Sequence, residues 1–233
     1  TNSPLTLPAT RRTAQGRQAI NQSTNRPIPI NQSPINQFPI NQFPINQSPN
    51  SMQTLIAILR GINVGGHKKV PMKVLKELFE SIGFSDVITY IQSGNIVFRS
   101  EDEKPAKFFS EKISEAIRIK FGFDVPVICR TKDEWNETIQ SNPCLQMQGI
   151  DFSFLHVTFL EKVPAENVAE AFTNLDFSPE KFFIRGKDVY LYCPNGYGNA
   201  KLNNTFIESR LGVMATTRNW KTVVTLGELA GKF

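Results

Sequence analysis

The sequence predicts an α+β protein: a tandem pair of ferredoxin-like (βαββαβ) halves with an extra C-terminal helix, preceded by a disordered N-terminal segment. Three observations predict this. Residues 52–130 alternate short aliphatic runs with amphipathic segments in the order βαββαβ. Residues 151–233 repeat that order and add a helix, which indicates an internal structural duplication. Residues 1–51 differ in composition from everything that follows.

Residues 1–51 are a low-complexity segment. They contain the pentapeptide Ile-Asn-Gln-x-Pro four times in succession, from Ile30 to Pro49, and they hold eight of the fifteen prolines. Proline in every unit interrupts helices and sheet ladders, and the side chains offer little apolar area to offset the entropy of ordering. We therefore predict disorder, and we interpret the segment as a translated upstream repeat with Met52 as the original start.

The excess positive charge of the chain belongs to this segment. The whole chain carries 26 basic and 21 acidic residues, and residues 1–51 contain four arginines and no acidic residue. Subtracting those four arginines leaves 22 basic against 21 acidic residues in residues 52–233. A nearly neutral body gives no electrostatic support for nucleic-acid binding.

The first half, residues 52–130, opens with an aliphatic run that is typical of a strand buried on both faces. Next, apolar side chains recur at helical spacing after Pro71, which suits the first helical position. Two further strands flank the turn Gln92-Ser93-Gly94-Asn95. The predicted strands are Thr54–Leu59, Val87–Ile91, Ile96–Phe98 and Val125–Cys129, and the predicted helices are Pro71–Ile82 and, approximately, Pro105–Phe121.

Residues 131–150 are predicted to form a connecting helix and loop. Thr131 is placed to cap the helix, with Glu134 at the capping-box position, and Asn142-Pro143 ends it. In the second half, residues 151–233, the predicted strands are Phe154–Leu160, Lys181–Ile184, Val189–Tyr192 and Val213–Ala215. The predicted helices there are Pro164–Phe172, Leu202–Arg210 and Asn219–Ala230.

A basic, glycine-punctuated loop, Arg60 to Lys69, follows the first strand and precedes the first helix. Val70 cannot cap that helix, so its first N–H groups need another acceptor. Lys68 and Lys69 add positive charge beside the positive end of the helix dipole. A bound anion would satisfy both demands. The alternative is a tight loop whose glycines serve backbone geometry and whose lysines are solvated.

The expected topology brings polar segments together in each half. The first two strands of a βαββαβ unit run parallel, so the loop Arg60 to Lys69 should meet the turn Gln92 to Asn95. In the second half the loops after the third and fourth strands also share one edge of the sheet, so Pro194 to Lys201 should meet Thr216 to Lys221. Arg218 and Lys221 would then lie at the positive end of the last helix, where either an anion or a carboxylate from elsewhere would compensate them.

Three motifs carry a family resemblance: Arg60 to Gly66 (R-G-I-N-V-G-G), Tyr90 to Asn95 (Y-I-Q-S-G-N) and Thr216 to Thr222 (T-T-R-N-W-K-T). Together they resemble the bacterial domain-of-unknown-function family 1697 over about residues 52–231. The resemblance implies a tandem of ferredoxin-like halves in a small cytosolic protein, and it implies no established activity.

The favoured hypothesis is that a polar cleft between the two halves binds a small anionic or nucleotide-like ligand. A regulatory or dimerising module without catalysis is one alternative. A nucleic-acid-binding protein is another, but base stacking needs exposed aromatic side chains, and the third strand offers only Phe98. The candidate ligand-binding residues are Arg60, Asn63, Gly65, Gly66, Lys69, Gln92, Ser93, Asn95, Lys201, Thr217, Arg218 and Asn219.

Other chemistry finds little support in the sequence. No nucleophile is paired with a histidine, and no spacing favours one pair of carboxylates, so the question of enzymatic activity stays open. Three widely spaced cysteines suit a reducing cytoplasm, and with only two histidines we expect no metal and no cofactor. No apolar run approaches the ~20 residues that span a bilayer. The oligomeric state is left open.

Overall fold

The computed structural model describes residues 52–233. The predicted disorder of residues 1–51 lies outside the described residues. The described chain is α+β, as predicted, and contains two four-stranded antiparallel sheets with helices. Their strand orders are β2-β3-β1-β4 and β6-β7-β5-β8, so the second sheet repeats the order of the first.

The first half follows the predicted order of elements. Its strands are β1 (Gln53–Leu59), β2 (Ser85–Tyr90), β3 (Asn95–Ser100) and β4 (Val127–Thr131), and its helices are α1 (Met72–Ser81) and α2 (Ala106–Phe121). The connecting helix α3 (Lys132–Gln140) starts with the predicted capping box, in which Thr131 and Glu134 bond to each other's backbone N–H groups. A 3-10 turn, Pro143–Gln146, follows it.

The second half repeats this order and adds the terminal helix. Its strands are β5 (Leu155–Leu160), β6 (Lys181–Arg185), β7 (Asp188–Tyr192) and β8 (Ala215–Asn219), and its helices are α4 (Glu166–Thr173), α5 (Asn204–Leu211) and α6 (Trp220–Ala230). Short 3-10 turns lie at Phe152–Phe154 and Tyr197–Asn199. Every helix within residues 52–233 falls short of the length and apolar character that crossing a membrane requires.

Strand β1 is buried on both faces, as its unbroken aliphatic run predicted. Leu55, Ala57 and Leu59 pack into a core with α1 and α2. Ile56 and Ile58 point the other way, because side chains alternate along a strand. They join a second core, shared with residues of α3, α6 and the second sheet. The helices α3 and α6 therefore cover the face of each sheet that contributes to this second core.

The last strand of each half starts two residues later than predicted. Strand β4 was expected at Val125–Cys129, but Pro126 has no N–H for the ladder, so pairing begins at Val127. Strand β8 was expected to end at Ala215, yet the polar residues that follow it pair with β5 as far as Asn219. As a consequence Arg130 and Arg218 both lie within edge strands.

Candidate functional site

The structure brings together the loop and turn segments that the topology predicted. In the first half the Asn63 amide donates to the Gln92 carbonyl over 2.9 Å, and the Leu59 N–H donates to the Gly94 carbonyl over 2.8 Å. In the second half the Tyr197 hydroxyl donates to Thr217 Oγ1 over 2.9 Å. Each half therefore joins a glycine-containing loop to a polar turn or strand end.

Arg218 connects the two halves at this place. From β8 it donates to the Leu59 carbonyl at 2.6 Å, to the Ser93 carbonyl at 3.1 Å and to the side-chain oxygen of Asn95. It also donates to Thr216 Oγ1 at 3.0 Å and to the Thr217 carbonyl at 2.9 Å. All three guanidinium nitrogens are hydrogen-bonded, and every acceptor is a neutral oxygen.

The sequence predicted that an anion or a carboxylate would compensate the charge of Arg218. Among residues 52–233 no carboxylate lies within 4.0 Å of it, and neutral oxygens already accept its N–H groups. Burial lowers the pKa of its guanidinium to about 10. An arginine at this pKa is still charged at neutral pH. Its bonds to carbonyl dipoles hold the end of β8 against the end of β1 and the turn after β2.

Arg60 makes a second connection between the halves. Its Nη1 forms an ion pair with Glu208 of α5, and the same carboxylate oxygen accepts the Ala215 N–H at 2.8 Å. About a quarter of the Arg60 side chain, 27%, stays exposed. The N–H groups on Nε and Nη2 of its guanidinium form no hydrogen bond with any described residue. Arg60 thus keeps donors available for a ligand.

The remaining predicted residues divide by exposure. Asn63 is bonded to both backbone groups of Val70 at 2.8 and 2.9 Å, which closes the loop. Asn95 is fully buried, whereas Asn219 caps α6 by accepting the Thr222 N–H at 2.8 Å. Thr217 bonds to Thr158, Tyr197 and Asn204. Exposed positions are Gly65, Gly66, Lys69, Gln92, Ser93 and Lys201.

An open cleft lies beside Arg60, with a volume of about 600 Å³. Asparagine, threonine and serine side chains of α5 and of its N-cap line it together with two aromatic rings. Its lining residues are Arg60, Tyr197, Asn203, Asn204, Thr205, Phe206 and Ser209. The first turn of α5 carries no acidic residue, and Asn203 caps the helix by accepting the Phe206 N–H. One arginine and no carboxylate line the cleft.

A related connection, which the sequence reasoning missed, lies at the opposite end of the second sheet. Arg130 of β4 is buried and donates to the Leu160 carbonyl at 2.6 Å and more weakly to the Lys187 carbonyl at 3.4 Å. Leu160 ends β5 as Leu59 ends β1. Each half therefore sends an arginine from its last strand to the end of the other half's first strand.

A repeated pattern in the sequence could have revealed Arg130. Arg130-Thr131 and Arg218-Asn219 each place an arginine directly before the residue that caps the following helix. Both arginines are the fourth residue of a five-residue strand. The prediction that β4 ends at Cys129 placed Arg130 outside the strand and concealed the match.

Nucleophiles and metal ligands are poorly placed in the described part of the chain. The three cysteines are buried, and burial raises the pKa of Cys129 and of Cys193 to about 12. Burial lowers the pKa of His156, which stacks on Tyr197 at a ring distance of 4.8 Å. No group of three or more histidine, cysteine, aspartate or glutamate side chains within residues 52–233 could hold a metal ion.

A family model described as "Protein of unknown function (DUF1697)" matches residues 52–190. The chain belongs to this family. The DUF1697 match covers the first half, the connecting helix and the second half as far as β7. It leaves out α5, β8 and α6, which carry part of the cleft and Arg218.

One solved structure supports the fold of this DUF1697 protein. It is the conserved bacterial protein SP0830 from Streptococcus pneumoniae, with a TM-score of 0.62 and 24% sequence identity. The match covers 77% of this chain and 99% of the pneumococcal chain. At this identity the likeness concerns the fold alone. Among curated proteins, none matches the chain significantly.

Proposed function

We propose that this protein binds a small anionic, nucleotide-like ligand in the cleft between Arg60 and the first turn of α5. The observation that carries the proposal is the lining of that cleft: one arginine with unused N–H groups, several amide and hydroxyl side chains, and no carboxylate. Arginine presents a planar set of donors that suits phosphate and carboxylate groups.

The helix adds a second contribution to anion binding. The N-terminus of α5 carries the positive end of the helix dipole, and its first turn has no acidic side chain to neutralise it. Glu208 offsets part of the charge of Arg60, but it also fixes the guanidinium at the edge of the cleft. Tyr197 and Phe206 offer ring surfaces for a base or another flat group.

We propose that each half is ferredoxin-like because of its strand order. A pair of ferredoxin-like halves supports a cleft between the two halves. Each sheet has its first strand between the third and fourth strands of its half and its second strand at the edge. All pairings within the sheets are antiparallel. The order of elements in both halves is βαββαβ, which fits the split βαβ motif.

Nucleic-acid binding through a sheet face gains no support from the geometry. Recognition of single-stranded RNA on a four-stranded sheet uses exposed aromatic side chains. Phe98, the aromatic residue of β3, is fully buried against Phe79, Phe84 and Phe109. The opposite face of β1 is covered by the core shared with α3 and α6. We therefore keep a small ligand as the expected partner.

The test is a pair of substitutions at Thr205, an exposed residue in the first turn of α5. Thr205→Glu places a negative charge in the cleft at a position where the helix dipole favours it, so the fold should be retained. Thr205→Gln is the matched neutral control. Inorganic phosphate and adenosine monophosphate are the probes, and the melting temperature of the full chain is the measurement.

We expect both probes to raise the melting temperature of the wild type and of Thr205→Gln, and to leave that of Thr205→Glu unchanged. A ligand present at about 100 times its Kd adds about 2.7 kcal/mol to the free energy of unfolding. Phosphate also stabilises proteins nonspecifically by exclusion from their surface. An equal rise in Thr205→Glu would therefore contradict binding in the cleft, as would no rise in the wild type.

A further inference from the structure

Asp188 occupies the place in the second half that Asn95 occupies in the first. Each is the first residue of the third strand of its half, and each pairs with the residue before the last of the first strand. Asn95 accepts a hydrogen bond from Arg218. Asp188 lies near Arg130 in the same way, but its Oδ1 is 4.0 Å from Arg130 Nη2, beyond hydrogen-bonding distance.

This carboxylate is incompletely satisfied. Oδ2 of Asp188 accepts the Thr138 hydroxyl over 2.6 Å, whereas Oδ1 is buried and has no hydrogen-bond partner. Burial raises the pKa of Asp188, because the ionised form loses hydration that its neighbours do not replace. A buried acceptor without a partner costs free energy, so its presence suggests a role other than holding the fold.

A cavity of about 380 Å³ lies beside Asp188, between α3 and the hairpin that joins β6 to β7. Glu134 and Lys187 line it and neutralise each other in an ion pair. Arg185 and Glu137 also line it; both are exposed, and neither forms an ion pair with a described residue. Arg130 lines the cavity as well, with Nη2 4.0 Å from Asp188 Oδ1. The cavity thus has a carboxylate with an unsatisfied oxygen inside and a free guanidinium at its edge.

Arg185 and Asp188 are suitably placed to hold one small molecule between them. They are direct cross-strand partners in the β6–β7 hairpin, so their side chains leave the same face of the sheet a few ångströms apart. They nevertheless form no ion pair with each other. An ammonium group could donate to Asp188 while a carboxylate on the same molecule accepts from Arg185.

The larger neighbouring cavity, of about 490 Å³, offers a useful contrast. It follows the free edge of β4, where the Cys129 N–H donates to Ser110 Oγ at 2.9 Å and the Thr131 N–H donates to Glu134 at 3.0 Å. Ser114 satisfies the Val125 carbonyl at 2.9 Å. These polar groups at that edge already have hydrogen-bond partners, so none of them needs a ligand to satisfy it.

We propose that the cavity beside Asp188 binds a small zwitterion with adjacent ammonium and carboxylate groups, as in a free α-amino acid. The Asp188 carboxylate, whose side chain keeps 13% of its surface exposed, accepts a hydrogen bond from the ammonium group of the ligand, and Arg185 binds the carboxylate of the ligand. This site is separate from the anion cleft, because Asp188 begins β7 and the loop that carries Tyr197 follows the other end of that strand.

The proposal is tested by thermal shift and calorimetry on the full chain with the twenty standard L-amino acids. N-acetyl derivatives of the active compounds lack the ammonium group, and amide derivatives lack the carboxylate. Asp188→Asn keeps an acceptor for Thr138 and removes the charge. Asp124→Asn is the matched control, since Asp124 is exposed and its side chain makes no hydrogen bond with a described residue.

We expect at least one free amino acid to stabilise the wild type and Asp124→Asn, with both derivatives inactive. Asp188→Asn should weaken binding by about tenfold or more, as expected for loss of a charged hydrogen bond, and should unfold no more easily than the wild type without ligand. Thr205→Glu should leave the amino-acid response intact even if it abolishes the phosphate response.

Three results would overturn the proposal. The first is that no free amino acid stabilises the wild type, whatever the stability of the variants. The second is that Asp188→Asn binds as tightly as the wild type or that the derivatives bind equally well. The third is that Asp188→Asn is markedly less stable than Asp124→Asn, because the carboxylate would then be a structural group.

Discussion

The arginines Arg218 and Arg130 connect the two halves in opposite directions, yet their surroundings differ. Arg218 is hydrogen-bonded through all three guanidinium nitrogens to neutral oxygens. Arg130 uses Nη1 and Nη2 and lies 4.0 Å from a carboxylate that has one unpartnered oxygen. The comparison shows that carbonyl dipoles satisfy a largely buried arginine more completely here than a nearby opposite charge does.

The difference between the two arginine environments follows from the residue that starts the third strand of each half, Asn95 in the first and Asp188 in the second. The Asn95 amide also donates to the Tyr90 carbonyl at 3.1 Å and to Ser93 Oγ at 3.0 Å, which orients its oxygen toward Arg218. Asp188 has no donor to use in this way and is held only by Thr138. The first connection is therefore closed, and the second leaves a cavity.

The largest expected effect comes from removing the closed connection. Arg218→Met keeps much of the side-chain volume but leaves the Leu59 and Ser93 carbonyls without their donors. We expect a loss of about 3 to 5 kcal/mol in the free energy of unfolding, measured by urea denaturation. Arg118→Met is the control, because Arg118 pairs with Glu115 at the exposed surface and its removal should change the free energy of unfolding far less than Arg218→Met does.

A smaller effect is expected at the open connection. Arg130→Met removes the donor to the Leu160 carbonyl, and the weak bond to the Lys187 carbonyl adds little. We expect a loss of about 1 to 3 kcal/mol in the same assay. A loss as large as that of Arg218→Met would show that the two connections are energetically equivalent.

The smallest effect is a dependence on pH. Burial raises the pKa of Asp188 in the folded state, with Thr138 and Arg130 opposing the rise. The stability that comes from this carboxyl is therefore complete below its unfolded pKa of about 3.9 and is lost as pH rises through the folded pKa. The amide introduced by Asp188→Asn does not titrate. The stability of this variant relative to the wild type should thus increase with pH across that window, and a decrease would contradict the assignment.

Much of the fold could be predicted from the sequence because its signals are local. The aliphatic run of β1, the spacing of apolar residues in α1 and α2, and the Thr131–Glu134 capping box depend on neighbouring residues alone. The meeting of Arg60 to Lys69 with Gln92 to Asn95 followed from strand direction. These features need no knowledge of distant contacts.

The environments of the charged residues could not be predicted in this way. Arg218 bonds to Leu59 and Ser93, which are more than a hundred residues away in the chain. Arg60 pairs with Glu208, which is at a similar separation along the chain. Backbone carbonyls carry no residue-specific signal, so no pattern in the sequence marks them as partners of an arginine. The open cavity at Asp188 depends on the absence of a contact, which a sequence does not encode locally.

Double-mutant cycles measure the claimed difference between the two connections most directly. The pairs are Arg218→Met with Asn95→Ala, and Arg130→Met with Asp188→Asn, each followed by urea unfolding near neutral pH. We predict a coupling of about 1.5 to 3 kcal/mol for the first pair, whose atoms are hydrogen-bonded, and below about 1 kcal/mol for the second. Equal couplings, or a stronger coupling between Arg130 and Asp188, would contradict the account.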